Sequence, residues 1–186
     1  MDLDKRPNIF DIQRFSIHDR PGVRTVIFTK SCPLKCSWCQ NSESQKSKAE
    51  IAFYFEDCSS CNKCVEQCPT NAIDPINKIS SYSICTQCGA CVHVCESNAR
   101  RIIGREMSRD EIVSEILKDI DFYKTSNGGV TFSGGEPFLH ADLLLQTLID
   151  LKKLYICIRS QNSKNHPMKS IPYKNGLPAI IILDMP

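Results

Sequence analysis

The chain has 186 residues and a formal net charge of +2, and it lacks an uninterrupted apolar run of the about 18 residues that a membrane-spanning helix needs. The small net charge argues against binding nucleic acid through a broad basic surface. The N-terminal residues MDLDKRPNIF lack the apolar segment of a secretion signal. We therefore expect a cytoplasmic protein with neither a nucleic-acid nor a membrane partner.

Cysteine is the unusual component, with 12 residues, of which all but Cys157 fall in tight groups between Cys32 and Cys95. A disulfide scaffold would need a secretory context, which the sequence does not offer. Pairs with C-x2-C spacing are more typical of metal-binding or redox sites. The pattern indicates a reducing compartment and metal-bound thiolates.

The first predicted strand is the apolar, β-branched run VRTVIF at residues 23–28. The loop SCPLKCSWCQN follows it and carries Cys32, Cys36 and Cys39 at C-x3-C-x2-C spacing. Parallel α/β barrels build their active sites at this carboxyl end of the strands. Three cysteines are one fewer than a closed metal site needs, so either a fourth ligand comes from elsewhere or a substrate fills the vacant position.

An internal repeat follows, in which CSSCNKCVEQCPTNAI begins at Cys58 and CTQCGACVHVCESNAR begins 27 residues later at Cys85. Both have the C-x2-C-x2-C-x3-C pattern of bacterial ferredoxins, in which the fourth cysteine ligates the other [4Fe–4S] cluster. Zinc is the alternative, but zinc sites usually separate their C-x2-C pairs by a longer spacer. The predicted ligands are Cys58, Cys61, Cys64 and Cys95 for one cluster, and Cys85, Cys88, Cys91 and Cys68 for the other.

Parallel α/β structure is predicted again after the repeat. Helical spacing in MSRDEIVSEILKDIDFYKTSNGG predicts one amphipathic helix, with a capping box at Ser108 and Glu111 and a stop at Gly128 and Gly129. The segment VTF predicts a short strand that runs into SGGEP. HADLLLQTLIDLKKL predicts a second helix and YICI, at residues 155–158, a third strand. Cys157 lies in this strand, where a small buried side chain is the favoured interpretation over a spare cluster ligand.

The three-cysteine loop, with Trp38 before its third cysteine, resembles that of the radical S-adenosylmethionine (SAM) superfamily. In that superfamily, the open iron of a [4Fe–4S] cluster is chelated by SAM, which is cleaved by one electron to methionine and a 5′-deoxyadenosyl radical. SGGEP resembles the GGE element of the family, which implies that Gly134, Gly135 and Glu136 bind SAM. Trp38 is expected either to pack near the adenine or to serve as a plain hydrophobic residue.

The segment FDIQRFSIHDRPGVRTVIFTKSCPLKCSWCQNSESQ is similar to the opening of glycyl-radical-enzyme activating enzymes of the pyruvate formate-lyase activating type. The resemblance implies a glycyl radical enzyme as protein substrate and reduced flavodoxin or ferredoxin as electron donor. It also makes Asp19 a candidate catalytic contact to the substrate glycine. The sequence departs from the family where Arg20 and Ser31 replace usual glycines and Ser42 replaces a usual proline.

These observations predict an α/β protein with a partial (β/α) barrel of radical SAM type, interrupted by a ferredoxin-like insert. The barrel would occupy residues 1–49 and 105–158, the insert residues 50–104, and a divergent tail residues 159–186. Three [4Fe–4S] clusters and SAM are the expected cofactors. The predicted activity is that of an oxidoreductase that activates a glycyl radical enzyme. Because the barrel pattern stops near Leu154, we also expect a truncation or frameshift there, so that an electron-transfer module or an inactive remnant is the alternative.

Overall fold

The computed structural model of the protein describes residues 6–18, 22–152 and 157–160, with side chains up to Leu151. The chain divides into two units. Unit 1 comprises residues 1–48 and 105–186, and unit 2 comprises residues 49–104.

The strands are β1 (Asn8–Ser16), β2 (Arg24–Thr29), β3 (Glu50–Phe53), β4 (Arg100–Ile103), β5 (Arg105–Glu106), β6 (Gly129–Gly134) and β7 (Cys157–Ser160). The α-helices are α1 (Lys63–Glu66), α2 (Ala90–His93), α3 (Arg109–Leu117), α4 (Ile120–Ser126) and α5 (Ala141–Lys152). Short 3-10 helices span Ser42–Ser44 and Pro137–His140.

Unit 1 contains a mixed sheet in the order β5-β1-β2-β6-β7. The strands β2, β6 and β7 are parallel neighbours, which confirms the three predicted strands; the first two residues of YICI lie outside the described residues. The strand β1 was not predicted, and it pairs antiparallel with both β2 and β5. Most of its side chains are exposed or half-buried, so its sequence lacks the apolar run that marks the buried strand β2.

Helices α3 and α5 contribute to a buried apolar core with the sheet, centred on Ile27, Val130 and Phe132. The capping box of α3 is confirmed, because the Ser108 hydroxyl accepts from the Glu111 backbone and the Glu111 carboxylate accepts from the Ser108 backbone. The prediction of one continuous helix is wrong, because the segment forms two helices, α3 and α4, with a turn between them.

The helix break has a tertiary cause, and the helix stop has a local one. Asp119, at the break, is completely buried and bonds to Arg14 and Thr25 of neighbouring strands instead of facing solvent. The predicted glycine stop is also corrected, because Asn127 takes the left-handed conformation at the end of α4, with φ of 56°. Asparagine tolerates this conformation better than most residues.

Unit 2 contains the antiparallel pair β3 and β4 and the two short helices α1 and α2. The sequence repeat is also a backbone repeat, because residues at equivalent positions share positive φ angles. The equivalent pairs are Ser60 with Gln87 (both 58°), Asn62 with Gly89 (63° and 79°), and Asn71 with Asn98 (51° and 54°). Within the residues that the structure describes, no helix of either unit is both long and apolar enough to cross a membrane.

Candidate iron–sulfur and SAM site

The three-cysteine loop and the SGGEP segment emerge at the same edge of the sheet in unit 1. The last residue of β2, Thr29, pairs with the last residue of β6, Gly134, in the parallel register. Both strands therefore end together, and their following loops start side by side. This is the edge where parallel α/β structures place ligands.

Backbone hydrogen bonds join the two loops directly. The Gly135 N–H donates to the Thr29 carbonyl at 2.7 Å, and the Glu136 N–H donates to the Ser31 carbonyl at 2.8 Å. A Cβ added at Gly135 would lie 2.3 Å from the Ser31 oxygen, which leaves no room for a side chain. Gly134 has φ of 99°, and a Cβ added there would lie 2.5 Å from the Thr29 oxygen. The glycines of SGGEP are thus required by the packing of the two loops, whatever further contact they make.

Ser31 adopts a positive φ of 82°, which is unfavourable for a residue with a side chain. This is the position where the sequence departs from the glycine usual in the family. The conformation is held from both sides, because the Ser31 N–H donates to Lys46 and its carbonyl accepts from Glu136. Serine at this position therefore has a strained backbone conformation that the surrounding hydrogen bonds hold in place.

The two ends of the cysteine loop are fastened to each other. The Cys32 N–H donates to the Gln45 carbonyl at 3.1 Å, and the completely buried Lys30 donates from Nζ to the Glu43 carbonyl at 2.6 Å. Lys30 was not among the predicted site residues. A charged residue that directly ends the apolar run VIFT was the available signal, because a buried ammonium group needs acceptors close by.

The thiols of the loop differ in exposure. Cys36 is exposed, while Cys32 and Cys39 are partly buried. Burial raises the pKa of the Cys32 thiol, a backbone hydrogen bond at Leu34 opposes the shift, and the negative charges of Glu136 and Cys39 add to it. Cys32 thus lies within electrostatic reach of Glu136, so the structure brings the cysteine loop and the acidic residue of SGGEP together.

Glu136 is the acidic group of this edge. Burial raises the pKa of its carboxyl, and a hydrogen bond from the Phe138 N–H at 3.0 Å opposes the shift. A partly buried carboxylate is stabilised by a cationic ligand, because an ammonium group supplies both charge and donors. Trp38 is 59% exposed on the cysteine loop, which leaves both of its predicted roles open.

In unit 2, a cavity gathers cysteines from both repeats. Its lining includes Cys58, Cys61 and Cys64 of the first repeat and Cys95 of the second. These are the four residues that the crossed ferredoxin pattern assigns to one cluster. The assignment of ligands remains a prediction, and the shared cavity supports it.

The fourth cysteines of the two repeats have similar surroundings. Burial raises the pKa of Cys68, but donors outweigh it and lower the pKa overall, among them the Ala72 N–H at 3.3 Å from the sulfur. Cys95 also has a lowered pKa, since burial is outweighed by the Ser97 hydroxyl and nearby backbone N–H groups. A lowered pKa favours the thiolate, which is the form that binds metal.

The remaining cysteines of the second repeat are Cys85, Cys88 and Cys91. Burial raises the pKa of Cys91, the charge of Arg100 opposes this, and the charges of Cys85 and Cys64 add to it. Cys91 is therefore within electrostatic reach of a cysteine from its own repeat and of one from the other. Cys88 is exposed.

Among the residues that the structure describes, no three Cys, His, Asp or Glu side chains form a group that could hold one metal ion. A [4Fe–4S] cluster differs from a single-ion site, because each of the cysteines that hold the cluster binds a different iron atom. Of the other predicted residues, Asp19 and Arg20 lie outside the described residues, and the described part of Cys157 is its backbone in β7.

Comparison with known proteins gives the family. A model described as a 4Fe-4S single cluster domain matches residues 19–165. Benzylsuccinate synthase activating enzyme of Thauera aromatica is 44% identical over 154 residues, which cover 79% of this chain and 46% of the relative. Trans-4-hydroxy-L-proline dehydratase activating enzyme of Clostridioides difficile is 49% identical over 132 residues, covering 70% of this chain and 44% of the relative.

A further relative, isethionate sulfite-lyase activating enzyme of Oleidesulfovibrio alaskensis, is 40% identical over 154 residues, covering 79% of this chain and 50% of the relative. The chain spans about half the length of the curated relatives it matches. The chain belongs to the 4Fe-4S single cluster domain family, of radical SAM type, and its relatives are activating enzymes of glycyl radical enzymes.

Proposed function

We propose that the protein cleaves SAM reductively and abstracts a hydrogen atom from a backbone glycine of a glycyl radical enzyme. The observation that carries the proposal is the joined pair of loops at the sheet edge of unit 1. The hydrogen bond from Glu136 to Ser31 holds the SGGEP segment against the start of the cysteine loop. Three thiols and an acidic residue next to them suit a cluster with one open iron and a ligand that carries an ammonium group.

Cys32, Cys36 and Cys39 would hold this cluster, and Gly134, Gly135 and Glu136 would receive the amine of SAM. When bound, the cluster and SAM together supply an electron and a hydrogen-abstracting group. The task of the protein is placement. Lys30 and the backbone contacts of Ser31 keep the cysteine loop closed on itself, and Glu136 presents a partly buried negative charge.

Two further [4Fe–4S] clusters would be held in unit 2, which we propose to be a ferredoxin-like insert at residues 50–104. The cavity shared by Cys58, Cys61, Cys64 and Cys95 supports the first ligand set. The crossed spacing of the two repeats supports the second set, in which Cys68 would join Cys85, Cys88 and Cys91. The parallel strands β2, β6 and β7 would belong to a partial barrel formed by residues 1–49 and 105–158.

The partner class follows from the relatives, which are named as activating enzymes of other enzymes. We propose a glycyl radical enzyme as the protein substrate, with reduced flavodoxin or ferredoxin as electron donor. Asp19 remains the proposed contact to the substrate glycine.

The test is anaerobic. The full chain is reconstituted with iron and sulfide, reduced, and mixed with SAM, and 5′-deoxyadenosine is quantified. We expect the product from the unaltered protein and its loss, at least about a hundredfold, in Cys36→Ala, because one missing ligand leaves the cluster incompletely held. Cys157→Ala is the matched control, since no cluster is assigned to that cysteine, and it should retain activity.

Equal product from Cys36→Ala and the unaltered protein would contradict the proposal. Absence of product from a protein whose unit 2 clusters take up and release electrons would instead support an electron-transfer module. Absence of both signals would support an inactive remnant.

A further inference from the structure

Arg100 differs from its counterpart in the other repeat. The repeats end in CPTNAI and CESNAR, so that Arg100 occupies the place of Ile73. Both side chains are buried, with 4% of Ile73 and 2% of Arg100 exposed. One repeat thus has an apolar side chain at this position, and the other a permanently charged one.

The guanidinium of Arg100 is held in place on several sides. Its Nη1 donates to the Ser80 hydroxyl at 3.0 Å, and its Nη2 donates to the Lys78 carbonyl. Its central carbon lies 4.8 Å from the centre of the Phe53 ring, which is a favourable cation–π distance. The group is therefore fixed rather than folded back into solvent.

The Nε–H of Arg100 is buried and meets no acceptor among the residues that the structure describes. A buried donor on a charged group that has no acceptor destabilises the fold, because it has lost its hydrogen bonds to water without replacement. Such a donor calls for an acceptor that the protein chain does not itself provide.

The lining of one cavity indicates the acceptor. The charge of Arg100 also acts on Cys91 of the second proposed ligand set, but the lining of this cavity does not include Cys91. Arg100 lines the cavity that contains Cys58, Cys61, Cys64 and Cys95, and the buried Lys78 lines it as well. Four thiolates around an iron–sulfur core leave a net negative charge and several sulfur atoms that accept hydrogen bonds. The guanidinium of Arg100 is a buried cation at this cavity and complements that charge.

We propose that Arg100 donates its Nε–H to a sulfur of the [4Fe–4S] cluster held by Cys58, Cys61, Cys64 and Cys95, and thereby raises the reduction potential of that cluster. The inference rests on the cluster assignment of the proposed function. Reduction adds one electron and makes the cluster more negative. A fixed positive charge and a hydrogen bond to sulfur both stabilise the reduced state more than the oxidised state.

The experiment is a potentiometric titration under anoxia, followed by electron paramagnetic resonance. The parent protein is the full chain with Cys32, Cys36 and Cys39 changed to alanine, so that the signals come from unit 2. In Arg100→Ile, which introduces the residue of the other repeat, we expect the equilibrium constant for reducing one cluster to fall about tenfold or more, equal to about 59 mV for one electron.

Arg101→Ile is the matched control. Arg101 is the next residue and carries the same charge, but its side chain is 48% exposed and paired with Asp57. Because water and salt screen exposed charges, its loss should change the same equilibrium constant by about threefold or less. Arg100→Lys keeps the charge but lacks the Nε–H. Its equilibrium constant for reduction should therefore lie between those of Arg100→Ile and Arg101→Ile.

Each result bears on one proposal. A parent protein that forms no reducible [4Fe–4S] cluster in unit 2 contradicts the cluster assignment that the proposed function makes for this unit. A parent with both clusters, and an Arg100→Ile variant with unchanged potentials, contradicts the role of Arg100 alone. If Arg100→Ile does not take up iron, Arg100→Lys decides, since an unchanged potential there overturns the hydrogen bond to sulfur.

Discussion

Unit 1 and unit 2 bury apolar side chains to very different extents. The described core cluster, which includes Ile27, Val130 and Phe132, lies entirely in unit 1. In unit 2 the buried apolar side chains are small or few among those described, namely Ala72, Ile73, Cys91 and Ala99. Small domains with little core usually need metals or disulfides to be stable. The comparison indicates that unit 1 is held by side-chain packing and unit 2 by the clusters that its cysteines would bind.

Removing iron should have the largest effect on stability, and it tests most directly whether unit 2 depends on bound metal while unit 1 does not. In protein stripped of iron by a chelator and kept reduced, we expect amides of β3, β4, α1 and α2 to lose their protection from hydrogen exchange, because metal binding supplies the folding free energy of such units. Amides of β2 and β6 should remain protected. Protection of unit 2 in the metal-free protein would contradict the comparison.

Phe132→Ala should destabilise unit 1 alone. Phe132 is completely buried in β6, and the loss of such a side chain costs about 3–5 kcal/mol through lost burial and the cavity left behind. Urea unfolding of the metal-free protein, followed by circular dichroism, measures this change. The amount of iron that unit 2 binds in the reconstituted variant should be unchanged. A parallel loss of that iron would show that the stability of unit 2 depends on unit 1.

Asp119→Asn should weaken unit 1 by about 2 kcal/mol at neutral pH, because the buried carboxylate accepts hydrogen bonds from Arg14 and Thr25. The hydrogen bond from Arg14 lowers the pKa of Asp119, burial opposes the shift, and Thr25 adds to it.

The lowered pKa gives this effect a pH dependence. A carboxyl with a pKa below its unfolded value of about 3.9 stabilises the fold above that value, and this stabilisation is lost as the pH falls through the folded pKa. The difference in urea midpoint between the unaltered protein and Asp119→Asn should therefore shrink in acid. A difference that grows in acid would contradict the assignment.

Ser31→Gly should have the smallest effect and the opposite sign. Glycine adopts positive φ without steric cost, so the variant should stabilise unit 1 by about 1 kcal/mol. The urea midpoint measures the gain, and Ser108→Ala, which removes the cap of α3, should lower it by about the same amount. A loss of stability in Ser31→Gly would show that Ser31 contributes more than its backbone.

The sequence by itself determined the local elements that depend on neighbouring residues. The strands β2, β6 and β7, the capping box of Ser108 and the helix α5 follow from apolar periodicity and from local hydrogen bonding, which are written in adjacent positions. Cysteine spacing likewise determined the pattern of the proposed ligands, since a cluster requires a fixed local geometry of its thiolates.

Only the tertiary structure decided the features that depend on distant contacts. The strand β1 exists because β2 and β5 pair with it, and the break before α4 exists because Asp119 bonds to Arg14, 105 residues away in sequence. The tight approach of Gly135 to Ser31 and the place of Arg100 beside the cysteine cavity are of the same kind. Burying a charge or bringing two backbones together is favourable only where partners converge, and a linear pattern does not encode that convergence.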